Sequence, residues 1–572
     1  MAWGAFSKAT SGSGGSRFLN IAQVGGSAGM AVTAGVIFTA PLIQVLYADK
    51  GLPVPPVDVK TLIYVSIAGA LIGYGFVGLT TKFLTDPSLP APEARACESM
   101  IEAAVADPDK KPALKGSLFL GLLLSFLAPL MHLVGFAKDH VVLKKRGVGD
   151  HNFSVDLPFA PIYIGIGGLL TLATALLVFG GSFLRLIGDY LLATIDPANS
   201  EAMLAFPANS MRWVGGGAMT VAVAYSLVRF LGKRKAAAGE QYDESLLEMD
   251  WAVRRGLVGA VVVGVGMLID WLIFKEGSVD AFSLSMGAAI LMCSLMVTLG
   301  AILSLQIGSS ASPVSGTIFV TTLVLCLVAL ATSRHELSDI QILTPLLVGA
   351  CVAVCAANDS SQDYKTMQLC GVPVREGFLA QLLGLLASAR GRADRALRRT
   401  RSLHPGIAQT QRPQGKMFAR LIDGLLLQSA LPWKPIYIGL GIGVLAVAMD
   451  ILAGKRGLQL PSMALAVGIY LPPSLGVGIL IGAFFRWLGE RGTGKQRSES
   501  ILAAAGLITG AGAFELILGI GILSNFDPET AVLFGEGQRM AWSESAAKIA
   551  GVLGILGLGA LLFVNSRPKV RA

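Results

Sequence analysis

Charge is scarce in this chain. Only 15% of its 572 residues are Asp, Glu, Lys or Arg, 53% are hydrophobic and the mean hydropathy is +0.64; soluble globular proteins carry roughly a quarter charged residues. That composition excludes a soluble domain and describes an integral membrane protein. Six cysteines (Cys97, Cys293, Cys326, Cys351, Cys355, Cys370) show no metal-ligand spacing and sit mostly in apolar runs, so neither a disulfide framework nor a metal cage is expected. The start, MAWGAFSKATSGSGGSRF, lacks the apolar core of a signal peptide. A net charge of +9 raises the question of nucleic acid, but the basic residues fall in the loops between apolar spans, where they orient a membrane protein instead.

Long apolar runs are what the chain has in quantity. LVGAVVVGVGMLIDWLIF (257–274) and KIAGVLGILGLGALLFV (548–564) approach or cross a hydrocarbon core of about 30 Å at 1.5 Å per residue. About thirteen such spans are expected, among them 60–80, 160–192, 342–357, 461–488 and 501–523. One threading places KKR (144–146), KRK (233–235), the basic loop 391–420, RGTGKQR (491–497) and the C-terminal RPKVR in the cytoplasm, and the acidic loop 525–545 outside. The predicted fold is all-α, a polytopic transmembrane helical bundle in the inner (cytoplasmic) membrane with its C-terminus inside.

Two internal matches point to duplication. LPFAPIYIGIG (157–167) returns as LPWKPIYIGLG (431–441), and GGSAGMAVTAGVIFT (25–39) has a gapped echo in GSSASPVSGTIFV (308–320). An odd number of crossings between the last two makes the repeat inverted, with pseudo-symmetric halves at 1–250 and 251–572. Two spans precede the second echo and none precedes the first, so the first half is expected to lack about two N-terminal helices. The segment FLAQLLGLLASA (378–389) is too short to cross and bears on that count.

An ionisable group at the bilayer centre costs at least about 2.5 kcal/mol on insertion scales, so each needs a partner, a wet cavity or a task. Glu515 lies mid-span in ITGAGAFELILGIGI with no basic residue nearby, the kind of group a proton-carrying site uses; the alternative is a structural glutamate. Asp450 and Asp270 fall near Lys455, Arg456 and Lys275 and are expected at the interface. The sharpest anomaly is VCAANDSSQDYKTMQLCGVP (354–373), where an apolar run passes directly into Asn358, Asp359, Gln362, Asp363 and Lys365. An ordinary hydrated loop is one reading. A re-entrant hairpin lining a cavity is the other, and any helical turn there would put Asp359 and Asp363 on one face. Helix breakers mark further places, Pro313 and Gly316 in SPVSG and Pro472 in YLPPSLGVG.

These blocks together resemble the oligopeptide transporter (OPT) family, which includes the yellow-stripe-like carriers of metal chelates. NDSSQDYKTMQLCGVPVREGFLAQLLG (358–384) is similar to its D-x-x-Q-D-x-K-T, G-x-P and Q-x-x-G blocks. SPVSG resembles S-P-x-S-G-M, with Thr317 in place of methionine. LPSMALAVGIYLPPSLGVGILIGAFFRWL (460–488) resembles V-G-x-Y-L-P with the following Gly482 and Arg486. NIAQVGGSAGMAVTAGVIFTAP, LPAPEARACESM and GAGAFE complete the set. Phe18 and Leu19 replace an acidic residue often found ahead of the first-half block.

The resemblance implies a secondary carrier, with protons as coupling ion and no cofactor, taking up small peptides; a carrier of peptide-like metal chelates is the alternative. Asn358, Asp359, Gln362, Asp363, Lys365 and Glu515 are the residues expected to bind solute or coupling ion, and Pro313, Gly316, Gly468, Tyr470 and Pro472 to shape the path. The partners are then the solute and the lipid bilayer, with no nucleic acid; the general habit of such carriers suggests a homodimer. The rivals are an intramembrane hydrolase using Asp359 and Asp363, which two aspartates on one segment serve poorly, and a channel.

Overall fold

The structure, a computed structural model, describes residues 13–81, 89–105, 111–204, 210–232, 244–307, 314–402, 433–491, 497–523 and 544–567, less isolated positions within them, and short pieces between 419 and 427. In chain order its main elements are α1 (Ser13–Thr39), α2 (Leu42–Asp49), α3 (Val59–Leu79), α4 (Pro92–Val105), α5 (Lys111–Leu133), β1 (His140–Val148), β2 (His151–Pro158), α6 (Pro161–Leu169), α7 (Leu172–Ile195), α8 (Ser210–Gly232), α9 (Trp251–Glu276), α10 (Ala281–Ile307), α11 (Val314–Ala331), α12 (Leu337–Leu369), α13 (Gly377–Ser402), α14 (Trp433–Gly454), α15 (Ser462–Tyr470), α16 (Pro473–Glu490), α17 (Ser498–Leu523) and α18 (Glu544–Ser566). Among the described residues six helices, α3, α7, α9, α12, α14 and α18, are long and apolar enough to cross a membrane. The chain is a polytopic helical membrane protein, as its composition requires.

Local sequence explains where the helices begin and end. Asp58 opens α3 by accepting from Lys60 N at 3.0 Å and Thr61 Oγ1 at 2.6 Å. Glu336 and Asp339 form a reciprocal capping box at the start of α12, and Gly277, at φ 72°, closes α9 in the left-handed region. Among the described residues the all-helical expectation has one exception. HVVLKKRGVGDHNFSVDLP pairs as an antiparallel hairpin from His140↔Pro158 to Val148↔His151, with Gly149 at φ 55° in its two-residue turn. A Gly-Asp pair between two runs carrying Val141, Val142, Val148, Phe153 and Val155 is a hairpin signal that the surrounding apolar spans obscured.

The described chain divides into two compact units, and they interleave in sequence. One comprises Met1–Ser16, Arg95–Ala218 and Gly441–Ala572; the other comprises Arg17–Ala94 and Met219–Leu440. Each takes segments from both 1–250 and 251–572.

In the Arg17–Ala94/Met219–Leu440 unit, α3 packs against α9, α12 and α13, and α12 also against α10 and α11. Of its most apolar stretch α12 buries 78%, α9 only 33%, so α12 is the centre of this unit and α9 its flank. Backbones touch where α3 meets α12. A Cβ on Gly69 would lie 2.1 Å from Gly349 O, and one on Gly73 2.5 Å from Ala353 O. Small residues permit this approach, which membrane helices use in place of a hydrophobic driving force.

The other unit packs α5 along α17, α6 against α16 and α17, and α7 against α15 and α16. Phe159, Ile164, Leu507, Leu558 and Leu562 form part of its core. The expected span 160–192 is not one helix. It breaks at Leu170 and Thr171, both extended (ψ 152° and 149°), and Thr171 Oγ1 then accepts from Thr174 N at 3.2 Å to start α7.

Candidate functional site

The polar run that interrupts an apolar stretch is neither a loop nor a re-entrant hairpin. Residues 354–369 are the final turns of α12, which continues without a break to Leu369; the turn comes only after it, at Gly371 with φ 67°. The re-entrant reading is therefore replaced by a helix with a buried polar end. Asn358, Gln362 and Asp363 are at most 5% exposed and Lys365 is fully buried, whereas Asp359 is half-buried. FLAQLLGLLASA, the other half of that supposed hairpin, belongs to α13.

A helix can hold so many polar side chains in a dry environment because each of its faces meets a partner. On one face, Gln362 Nε2 donates to Ser304 O at 2.7 Å, Gln362 Oε1 accepts from Ala94 N at 3.0 Å, and Ser304 Oγ donates to Asn358 O at 3.0 Å. Thr366 continues that face by donating to Ala94 O at 3.3 Å. On the second face, Gln23 Nε2 of α1 donates to Asp363 Oδ1 at 2.8 Å, and Ser27 approaches the same carboxylate. On the third, Tyr364 OH donates to Gln381 Oε1 of α13, and Gln381 Nε2 donates to Ser360 Oγ. The Tyr364 ring also meets Phe378 edge-on at 5.3 Å. Asp359 and Asp363 do share one face, as their spacing requires.

The pathway-shaping candidates divide between the units. Gly468, Tyr470 and Pro472 lie in the unit built on α6, α7, α15 and α16. The proline pair breaks that span where expected: α15 ends at Tyr470, Leu471 and Pro472 are extended (ψ 156° and 142°), and α16 starts at Pro473. Pro313 lies outside the described residues; Gly316 is in the first turn of α11, and Glu515 is in α17 with its side chain outside the described set. Asp270 accepts from Tyr64 OH at 3.0 Å, and Asp450 accepts from Ser462 N at 3.2 Å, placing a negative charge at the start of α15.

The two broken helices are copies of one another, which the sequence reading missed. Both α6 and α15 run nine residues, then two extended residues, then a long helix. An offset of 301 residues carries Gly167 onto Gly468, Gly181 onto Gly482, Arg185 onto Arg486 and Gly188 onto Gly489, with Asp189 answered by Glu490. The contacts obey the same offset. A Cβ on Gly167 would lie 2.0 Å from Ile479 O, and one on Gly468 2.2 Å from Val178 O; for Gly181 and Leu465 O the distance is 2.3 Å, for Gly482 and Ile164 O 1.9 Å. As one strand of contacts advances the other retreats, so the copies run antiparallel about a pseudo-two-fold axis, the relation of an inverted repeat. The detectable signal was GSFLRLIGD (181–189) against GAFFRWLGE (482–490), not the Pro-Ile-Tyr-Ile-Gly string, whose second copy opens the unbroken α14.

Each copy buries an arginine four residues before an acid. Arg185 Nε lies 3.4 Å from Asp189 Oδ2 and Arg486 Nε 3.7 Å from Glu490 Oε1, with both arginine side chains under 8% exposed. Arg185 Nη1 also donates to Tyr470 O, the carbonyl at the end of α15, and Ser182 Oγ donates to Gly468 O at 3.3 Å.

Paired broken helices of inverted sense in one unit, and a membrane helix with a buried polar end in the other, are the features of a polytopic membrane transport protein. The chain matches the family model described as OPT oligopeptide transporter protein over residues 18–522, and it belongs to that family. It is also similar to a Haemophilus influenzae (strain ATCC 51907 / DSM 11121 / KW20 / Rd) protein named "Putative oligopeptide transporter", with 25% identity over 509 residues covering 79% of each chain.

Proposed function

We propose that the protein is a secondary active carrier that moves short peptides across the cytoplasmic membrane together with protons, its C-terminus facing the cytoplasm. The observation that carries this reading is the buried polar end of α12, where Asp363, Gln362 and Asn358 are packed inside the protein and held by partners on other elements. In this reading Asp359 and Asp363 meet solute or proton and Lys365 balances their charge. Asn358 and Gln362 fix the helix end, and Glu515 takes part in proton transfer. A carboxylate that alternates between dry packing and water is the group type suited to carrying a proton, and proton and solute favour the same loaded conformation. Membership of a transporter family makes transport, rather than hydrolysis, the activity to test.

The test is acid-driven uptake of labelled di- to pentapeptides into proteoliposomes, with iron and nickel chelates in parallel arms. Peptide uptake that follows the proton gradient and falls at least about tenfold in Asp363→Asn or Glu515→Gln supports the proposal. Uptake of chelates alone reassigns the substrate, and full activity in both variants removes these residues from the site. Current without counterflow exchange would make the protein a channel.

A further inference from the structure

We propose that Arg185 and Arg486 are alternating caps of the two helix junctions, Arg185 holding the α15–α16 junction in the conformation described and Arg486 holding the α6–α7 junction in the opposite-facing one. The inference deepens the carrier reading and rests on it.

Symmetry supplies the argument. The offset of 301 residues that maps Arg185 onto Arg486 maps Tyr470 back onto Leu169, the last residue of α6. In the structure Arg185 donates to Tyr470 O, whereas no hydrogen bond joins Arg486 to Leu169 O. Arg486 Nε is buried without a hydrogen-bond partner, its described contact being Glu490 at 3.7 Å. The two junctions have the same backbone, the same four-residue Arg-to-acid spacing and mirrored glycine contacts, yet only one is capped. A helix end leaves carbonyls unsatisfied, and a buried guanidinium with an idle donor is costly. Both shortfalls fall on the same half of a two-fold arrangement, and both are removed if the halves exchange conformations. Two sequence-related halves that swap conformations are the simplest means by which an inverted repeat presents one site to either side. Neither arginine needs to touch solute; each is a positioning residue that biases the equilibrium.

Reporter cysteines at Ala173 and Ser474, equivalent half-buried positions just beyond the two junctions, test this in full-length protein in permeabilised membranes. The rate of modification by a membrane-impermeant maleimide is read as the increment over the parent chain. Arg185→Gln disfavours the described conformation, so the Ser474→Cys reporter should react faster and the Ala173→Cys reporter slower. Arg486→Gln should move the ratio of the two rates the other way, each by about tenfold, the effect of losing a hydrogen bond to a charged group. The double variant should return toward the parent. Ratios that move in the same direction, or do not move, overturn the proposal. A purely structural role would lower protein amount without opposite shifts, and if either Gln variant is poorly inserted, Arg185→Lys and Arg486→Lys, which lose the planar fork but keep the charge, are read identically. Peptide uptake by the parent is measured beside it. Absence of uptake removes the carrier reading while the labelling still decides the caps; uptake with an unmoved ratio removes the caps alone.

Discussion

Single side chains in this protein act mainly through how closely they let backbones approach. Gly69→Val would force a branched side chain against Gly349 O, already 2.1 Å from a Cβ, and should cost at least about 1–3 kcal/mol. A Cβ on Gly180 meets nothing within 4 Å, so Gly180→Ala should be neutral or stabilising by up to about 1 kcal/mol. Thermal unfolding in detergent separates the two. Outside the membrane spans, Arg334 gathers Asp339 at 3.3 Å, Asp280 at 3.4 Å and Glu276, and lies over the Phe282 ring. Hydrogen bonds from Ser283 N and Oγ, both 2.8 Å, with Arg334 adding to them, hold the Asp280 carboxyl below its ordinary value of 3.8. Because the folded value lies below the unfolded one, Asp280 contributes stability above about pH 4 and loses it as the pH falls through the lowered value. Asp280→Asn should therefore melt earlier than the parent at neutral pH, with the gap closing as the pH falls below about 4.

At the scale of elements, apolar runs and proline were legible in the sequence and partnership was not. Pro472 announced the α15–α16 break because proline withholds a donor wherever it stands. The matching break at Leu170–Thr171 has no proline and stayed hidden, although Thr171 is a competent cap for the helix that follows. The polar end of α12 was recognised as unusual, but its conformation was misread. Whether Gln362 or Asp363 prefers loop or helix depends on Ser304, Ala94 and Gln23, residues far away in sequence. The break itself is expected to matter for movement more than for stability. Pro472→Ala combined with Pro473→Ala, which together permit a straighter helix, should leave the melting temperature within a few degrees of the parent while reducing peptide uptake several-fold.

The whole molecule is organised by contacts that ignore sequence order. Since α3 is packed on α9 and α12, and α7 on α15 and α16, each compact unit needs chain from both 1–250 and 251–572. Fragments cut at about residue 240 should be unstable when expressed singly and recover as a stable pair when co-expressed, measured as protein retained in the membrane. The repeat was visible in outline from the sequence, yet LPWKPIYIGLG (431–441), the string that echoes 157–167, is not the segment that answers it in space. Apolar membrane segments share so few residue types that a shared string is weak evidence of equivalence, whereas the offset of 301 is secured by four backbone contacts.

The mirrored junctions are not perfect copies. Ser182 donates a hydroxyl hydrogen bond to Gly468 O, and its counterpart Ala483 has only a methyl group to offer Gly167. A neutral hydrogen bond of this kind contributes about 0.5–1.5 kcal/mol, so if the halves exchange conformations as proposed, the empty protein would rest leaning toward one face of the membrane. Such a lean would set which compartment is sampled first when solute is dilute, and Ser182→Ala with Ala483→Ser would reverse it.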